Sequence, residues 1–154
     1  MNKIVSRTEL SDLVVRLEVE APMIAKARKP GHFVILKLGA KGERIPLTIS
    51  SADTQKGTIT LVVQRVGLTS NKLYNMQVGE EITDLLGPLG RATHIENFGT
   101  VLCAGGGVGI APLLPIVEGM KKAGNKVISV LAARSKNLIM LEDEIRRHSD
   151  EVVI

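Results

Sequence analysis

The sequence predicts an antiparallel β-barrel or sandwich followed by the opening half of a doubly wound parallel α/β unit. Three observations carry this. Short apolar-alternating runs recur between turn signals as far as about Leu89, the spacing expected of an all-β unit. Val101 to Leu114, VLCAGGGVGIAPLL, then runs a strand into a glycine turn and a helix. Beyond it strand and helix patterns alternate, which is the mark of a parallel sheet.

Taken in order, Ser11 to Glu20 (SDLVVRLEVE) alternates as a strand and is ended by Ala21-Pro22. Pro30-Gly31 turns the chain into a second strand, HFVILKL, and Gly39 to Glu43 is a polar hairpin loop. In RIPLTISSA, Pro46 lacks an N–H, so its strand is expected at an edge or broken beside a bound group. Lys56-Gly57 turns into TITLVVQRV, the clearest strand of the chain. Gly67 to Tyr74 is a short helical pattern whose Thr69, Ser70 and Asn71 suit either helix capping or an anion site. Val78-Gly79 leads into the strand EEITDLLGPLG, and Asn97 to Thr100 is the crossing into the α/β unit.

Glycines suit a backbone that turns at positive φ or lets a ligand approach, and a helix N-terminus offers free N–H groups and partial positive charge. The ligand matched to Val101–Leu114 is a diphosphate. The dinucleotide fingerprint G-x-G-x-x-G is only half kept: Gly105 and Gly107 fit, Ile110 takes the third place, and Leu131 to Ser135 holds no acid for a ribose. A glycine turn serving chain reversal alone is the other reading. Leu113, Ile116, Val117 and Met120 share one helical face, and Gly124 is the stop. Lys126 to Ala132 reads as a buried strand, Leu141 to His148 as a polar helix and Val152 to Ile154 as a third strand, left at an open edge.

Composition excludes several classes. A charge of +4 without a basic stripe, and 2% aromatic residues without Trp, argue against a nucleic-acid binder. No apolar run approaches the about 20 residues of a membrane span, and Met1–Leu10 lacks a signal-peptide core, so the expected location is the cytoplasm. The single Cys103, among apolar neighbours, reads as a buried, inert thiol. His32, His94 and His148 have no evident partners, and no acid–base dyad or nucleophile triad is visible.

RIPLTIS in the first unit and CAGGGVGIAPL in the second, with PGHFV, GTITLVVQRVG, DLLGPLG and AARSKNLIMLEDE in the same order, resemble the ferredoxin reductase superfamily. Within it the likeness is to the electron-transfer subunits of dihydroorotate dehydrogenase and the alpha subunits of NADH-dependent ferredoxin-NADP reductase (sulfide dehydrogenase). The resemblance implies a Greek-key FAD-binding barrel over residues 1–96 and the N-terminal half of an NAD(P)-binding domain over 97–154. It implies that Arg44 neutralises the FAD diphosphate, that Pro46, Leu47 and Thr48 pass along the flavin ring, and that the Thr48 hydroxyl bonds near its reactive edge. Val62, Val63 and Gln64 would then follow the ribityl or adenosine side, and Gly67, Thr69 and Ser70 the diphosphate. Gly105, Gly106, Gly107, Val108 and Gly109 would line the approach of NADH or NADPH, with Pro112 fixing the helix start. Arg134 and Lys136 are candidates for a 2′-phosphate, or a solvated basic turn. The implied activity is electron transfer from NAD(P)H through flavin to an iron–sulfur centre, a partner subunit or a ferredoxin. Members of this group carry a cysteine cluster for a two-iron, two-sulfur centre. This sequence lacks one, so that centre is expected in a longer form or a partner. A non-catalytic flavin-binding module completed by a partner is the alternative, and a homo-oligomer is possible.

Overall fold

The computed structural model describes residues Met1–Ile154 in full. Six strands form the first sheet: β1 (Ile4–Ser11), β2 (Val14–Glu20), β3 (Phe33–Lys37), β4 (Arg44–Asp53), β5 (Thr58–Gln64) and β6 (Asp84–Leu89). Their order is β1-β2-β5-β4-β3-β6, with every neighbouring pair antiparallel. Strands β3, β4 and β5 form a meander and β2 returns beside β5, the Greek-key path. The sheet rolls until its edges meet: Lys3 bridges Glu81, and the Ile4 N–H donates to the Glu80 carbonyl at 2.9 Å. Inside lie Leu17, Leu36, Ile49, Ile59 and Leu61, all fully buried, each worth about 1.5–3 kcal/mol of apolar transfer.

Two short elements differ from expectation. The strand read from Ser11 begins at Val14, because Asp12 and Leu13 form the turn of a hairpin whose first arm, β1, alternates too weakly to stand out. Helix α1 (Pro22–Ala27) follows Ala21-Pro22, with proline in its first turn, where a missing N–H costs nothing. Helix α2 (Leu68–Asn75) lies where the sequence placed it.

The second sheet is parallel, in the order β7 (Thr100–Gly106), β8 (Lys126–Ala132), β9 (Glu151–Val153). Helices α3 (Ile110–Lys122) and α4 (Glu142–Arg147) cover one face through Ile110, Val117 and Ile145, which pack with Cys103, Val127 and Leu131. Val14 and Val62 of the barrel join this second core, so the two units share apolar packing. The opposite face, with Leu102, Ala104, Ile128, Val130 and Val153, is uncovered, and both outer edges of the sheet are unpaired, β7 as well as the expected C-terminal strand.

The seam between the units turns on a proline. Pro115 sits inside α3 and has no N–H to give the Ala111 carbonyl. The hydroxyl of Ser50, a buried residue on β4, donates to that carbonyl at 2.8 Å. Nearby, Arg16 of β2 pairs with Glu144 of α4. Burial works against the Glu144 carboxylate, but the Arg16 hydrogen bond and charge outweigh it and hold its pKa below the ordinary value.

Candidate functional site

Strand β4 changes partners half-way along. Arg44–Thr48 pair with Phe33–Lys37 of β3, and Ile49–Asp53 pair with Thr58–Leu61 of β5, with a register shift at Ile49/Ser51 where the strand bends. Ile49 gives its N–H to His32 of the β3 side, at 3.1 Å. Alternation therefore turns the Pro46 nitrogen to the other side, where Arg44–Thr48 have no strand neighbour. So β4 is interior in the sheet, yet Pro46 occupies a local edge, and its missing N–H breaks no ladder bond. Along that open edge Arg44 and Pro46 are exposed and Thr48 is half-buried, its hydroxyl making no hydrogen bond within the chain. Leu47 packs on the barrel core, as does the fully buried Val63, while Val62 belongs to the seam.

The Arg44 guanidinium lies 3.8 Å from Asp84 across the sheet. Next to it in sequence, Glu43 accepts a hydrogen bond from the Thr69 hydroxyl at 3.1 Å, which joins the start of β4 to the first turn of α2. The Ser70 hydroxyl accepts the N–H groups of Val66 and Gly67 at 2.9 and 2.8 Å. Arg44, Gly67, Thr69 and Ser70 thus gather in one region. The Thr69 and Ser70 hydroxyls already serve the protein, and the α2 first turn is left to offer backbone N–H groups to an anion.

The glycine loop shows two uses of glycine. A Cβ on Gly105 would stand 3.1 Å from Leu113 and 3.2 Å from the Gly109 carbonyl, so Gly105 is small to let β7 and α3 meet. Gly107 has φ +55°, and no protein atom lies within 4 Å of where a Cβ would be at Gly107 or Gly109. At these two positions the protein leaves room that it does not itself fill. A cleft of about 530 Å³ opens there, between Gly106, Gly107 and Val108 on one wall and Ser11, Leu13 and Gln64 on the other. Arg134, just past β8, lines it too. Lys136 lies outside it. Pro112 is the third residue of α3, not its first; the tight turn Gly107–Gly109 runs straight into the helix, with the Ile110 N–H donating to the Gly107 carbonyl.

The barrel edge and the cleft are held together. Ser50, two residues beyond Thr48, bonds to Ala111, two residues beyond Gly109. Sequence reasoning missed Ser50 and the hairpin turn at Ser11–Leu13. A buried serine opposite an in-helix proline was the available signal for the first, and only the fold brings in the second.

A profile of the oxidoreductase FAD-binding domain matches residues 2–94, more than half of the chain. The chain belongs to the oxidoreductase FAD-binding family. Over its whole length it is 40% identical to a dihydroorotate dehydrogenase B (NAD(+)) electron transfer subunit homolog of Thermotoga maritima, covering 55% of that protein. Over 90% of its length it is 30% identical to the dihydroorotate dehydrogenase B electron transfer subunit of Fusobacterium nucleatum, again covering 55%. The structure of an NADH-dependent reduced ferredoxin-NADP oxidoreductase, described in connection with flavin-based electron bifurcation, superposes with a TM-score of 0.96 at 40% identity, over 99% of this chain and 56% of that one. The chain therefore spans about half the length of these relatives. Residues of this chain fit the group its family is named for: an open strand edge, an arginine beside it, and a nearby helix N-terminus form a track suited to a flavin and its diphosphate.

One further expectation needs correction. The three histidines do have partners. His94 lies 3.1 Å from Glu96, His148 lies 3.6 Å from Glu118, and His32 accepts the Lys29 N–H through Nδ1 at 3.0 Å. None lines the cleft or the β4 edge. Cys103 is buried and its surroundings raise the thiol pKa, which disfavours the reactive thiolate. No helix is long and apolar enough to cross a membrane.

Proposed function

We propose that this chain is the flavin-holding, electron-transferring part of an NAD(P)H-dependent oxidoreductase subunit, with FAD along β4 and a reduced nicotinamide dinucleotide in the cleft at the glycine loop. The observation that carries the reading is the unfilled space before Gly107 and Gly109, tied through Ser50 and Ala111 to the open edge of β4. FAD supplies the conversion of a two-electron hydride donor into single electrons for an acceptor. The chain's residues position and neutralise. Arg44 offers a planar fork to phosphate oxygens. Pro46 stiffens the strand without presenting a donor, and the free Thr48 hydroxyl is placed to hydrogen-bond a polar edge lying on β4. Gly107 and Val108 let a diphosphate come against the main chain, and the mostly apolar cleft limits water around it.

The acceptor is an iron–sulfur centre in a longer form of the protein or in a partner subunit or ferredoxin, since one buried cysteine cannot hold such a centre. The proposed location is cytoplasmic, and the proposed division of labour is barrel for FAD and α/β unit for the nicotinamide. The test is anaerobic titration of the yellow FAD-loaded chain with NADH and, separately, NADPH. Bleaching of the flavin absorbance is expected; a flavin-loaded chain that neither nucleotide bleaches would make it a binding module completed by a partner. Thr48→Val keeps volume and removes the hydroxyl, and is expected to retain flavin while changing its reduction rate and potential. Unchanged values would remove Thr48 from this role.

A further inference from the structure

A second pocket lies on the seam, lined by neither the cleft residues nor the β4 edge at Arg44–Thr48. Its chemistry begins in the sequence, where three of the four residues 26–29 are cations: Lys26, Arg28 and Lys29. The structure makes this run rigid. Arg28 caps α1 through its N–H to Ile24 at 2.9 Å, Lys29 donates to His32, and the Pro30 carbonyl accepts from Thr93 at 2.9 Å. Across a gap of about 350 Å³, α3 presents Pro115, Glu118, Gly119 and Lys122, whose spacing places them on one helical face. Ala52, Thr54 and Ile95 complete the walls.

Four cations therefore surround a space that holds one carboxylate, Glu118, and that carboxylate also faces His148. Arg28 is half-buried, and its guanidinium makes no hydrogen bond or ion pair within the chain. Burial lowers its pKa despite the pull of Glu118. A guanidinium has five N–H donors in a planar fork, and those of Arg28 line the pocket and stay accessible to an acceptor entering it. The three lysines are exposed at the rim, where they add charge without blocking entry.

We infer that this pocket is a binding site for a phosphate-bearing small molecule, with Arg28 gripping the phosphate and Lys26, Lys29 and Lys122 neutralising it. A compact dianion matches the convergent charge, and three walls from two units suit a small ligand better than an extended peptide. Since α1 and its loop belong to the barrel side and α3 to the other, the ligand would bridge the two units. The inference does not depend on the FAD or nicotinamide assignments.

The test is a titration of the ¹⁵N-labelled 154-residue chain with inorganic pyrophosphate, then with AMP, followed by amide NMR. Saturating shifts are expected at Lys29, Gly31 and Gly119. Arg28→Ala should weaken that binding about 10- to 100-fold, the loss of a charge-assisted phosphate contact, while leaving shifts at Gly67 and Gly107 as they were. Lys26→Ala with Lys122→Ala, which keeps Arg28 and its cap, should weaken it less. Tighter binding of AMP would assign the site to a phosphorylated organic molecule, and tighter binding of pyrophosphate to an inorganic one. Shifts confined to Gly67–Ser70 and Gly105–Gly109, no saturating shifts at all, or shifts at Gly31 and Gly119 that survive Arg28→Ala unchanged would each overturn the inference.

Discussion

The barrel closes on itself and the α/β unit does not. In the first unit a rolled sheet surrounds its core and its two edges are bridged at Lys3 and Glu81. In the second, three parallel strands carry helices on one face alone, and Leu102 on the other face is 68% exposed while Leu131, on the covered face, is fully buried. Parallel sheets are normally covered on both faces. The difference separates two kinds of candidate site: one carried by a strand within a closed sheet, the other by a glycine loop on a sheet with one bare face.

The largest effect expected from this contrast is on association. The 154-residue chain should self-associate with rising concentration through the uncovered face, where Leu102 and Val153 are exposed and Ile128 is half-buried, as large apolar patches and open edges do. Leu102→Lys with Val153→Lys should return it to a monomer in light scattering without loss of secondary structure, and a wild-type chain already monomeric at high concentration would show that the face is tolerated bare. Next is Arg44→Ala, expected to cost about 1.5–3 kcal/mol of FAD binding, roughly a 10- to 150-fold fall in affinity, with the barrel's thermal unfolding little changed in the flavin-free form. Full flavin occupancy after dilution would give Arg44 another role.

Smaller, and aimed at the seam, is Ser50→Ala. It strands the Ala111 carbonyl in a buried position and should cost about 1–3 kcal/mol of unfolding free energy in urea. Pro115→Ala restores an N–H partner for that carbonyl, so the double variant should lose less than the sum of the two singles; strict additivity would uncouple the pair. The smallest effect belongs to Glu144→Gln. Arg16 and Glu144 are about one-quarter exposed, which limits their pair to about 1 kcal/mol. The folded pKa of Glu144 lies below its ordinary 4.5, so the stabilisation is present above that pH and fades as pH falls through the lower folded value. Wild type and Glu144→Gln should differ at pH 7 and converge in acid. A constant gap would assign the effect to packing.

Much of this architecture was legible in the chain, for reasons that are local. TITLVVQRV alternates, has turns on either side, and folds as β5. The run from Val101 to Leu114 announces its own strand, loop and helix. What was not legible depends on distance or weak pattern. β1 is a mostly polar edge strand, so it lacks the alternation that betrays a half-buried one. α1 has six residues, too few to show a helical period. Arg16 and Glu144 are 128 residues apart, and no spacing rule connects them. The hydroxyls of Thr69 and Ser70 suit helix capping and an anion site equally well in sequence. The fold spends one on Glu43 and the other on the loop backbone.

The Ser50–Ala111 contact bears on how this molecule can be recombined. Helix α3 is one donor short of complete until a barrel strand reaches it, so the helix carries a built-in test of the barrel it is joined to. A chimera that grafts this α/β unit onto a different barrel would inherit Pro115 and its unanswered carbonyl. Such a graft should tolerate wide change elsewhere on the seam, but it would need a hydroxyl at the position of Ser50 or an ordinary residue in place of Pro115.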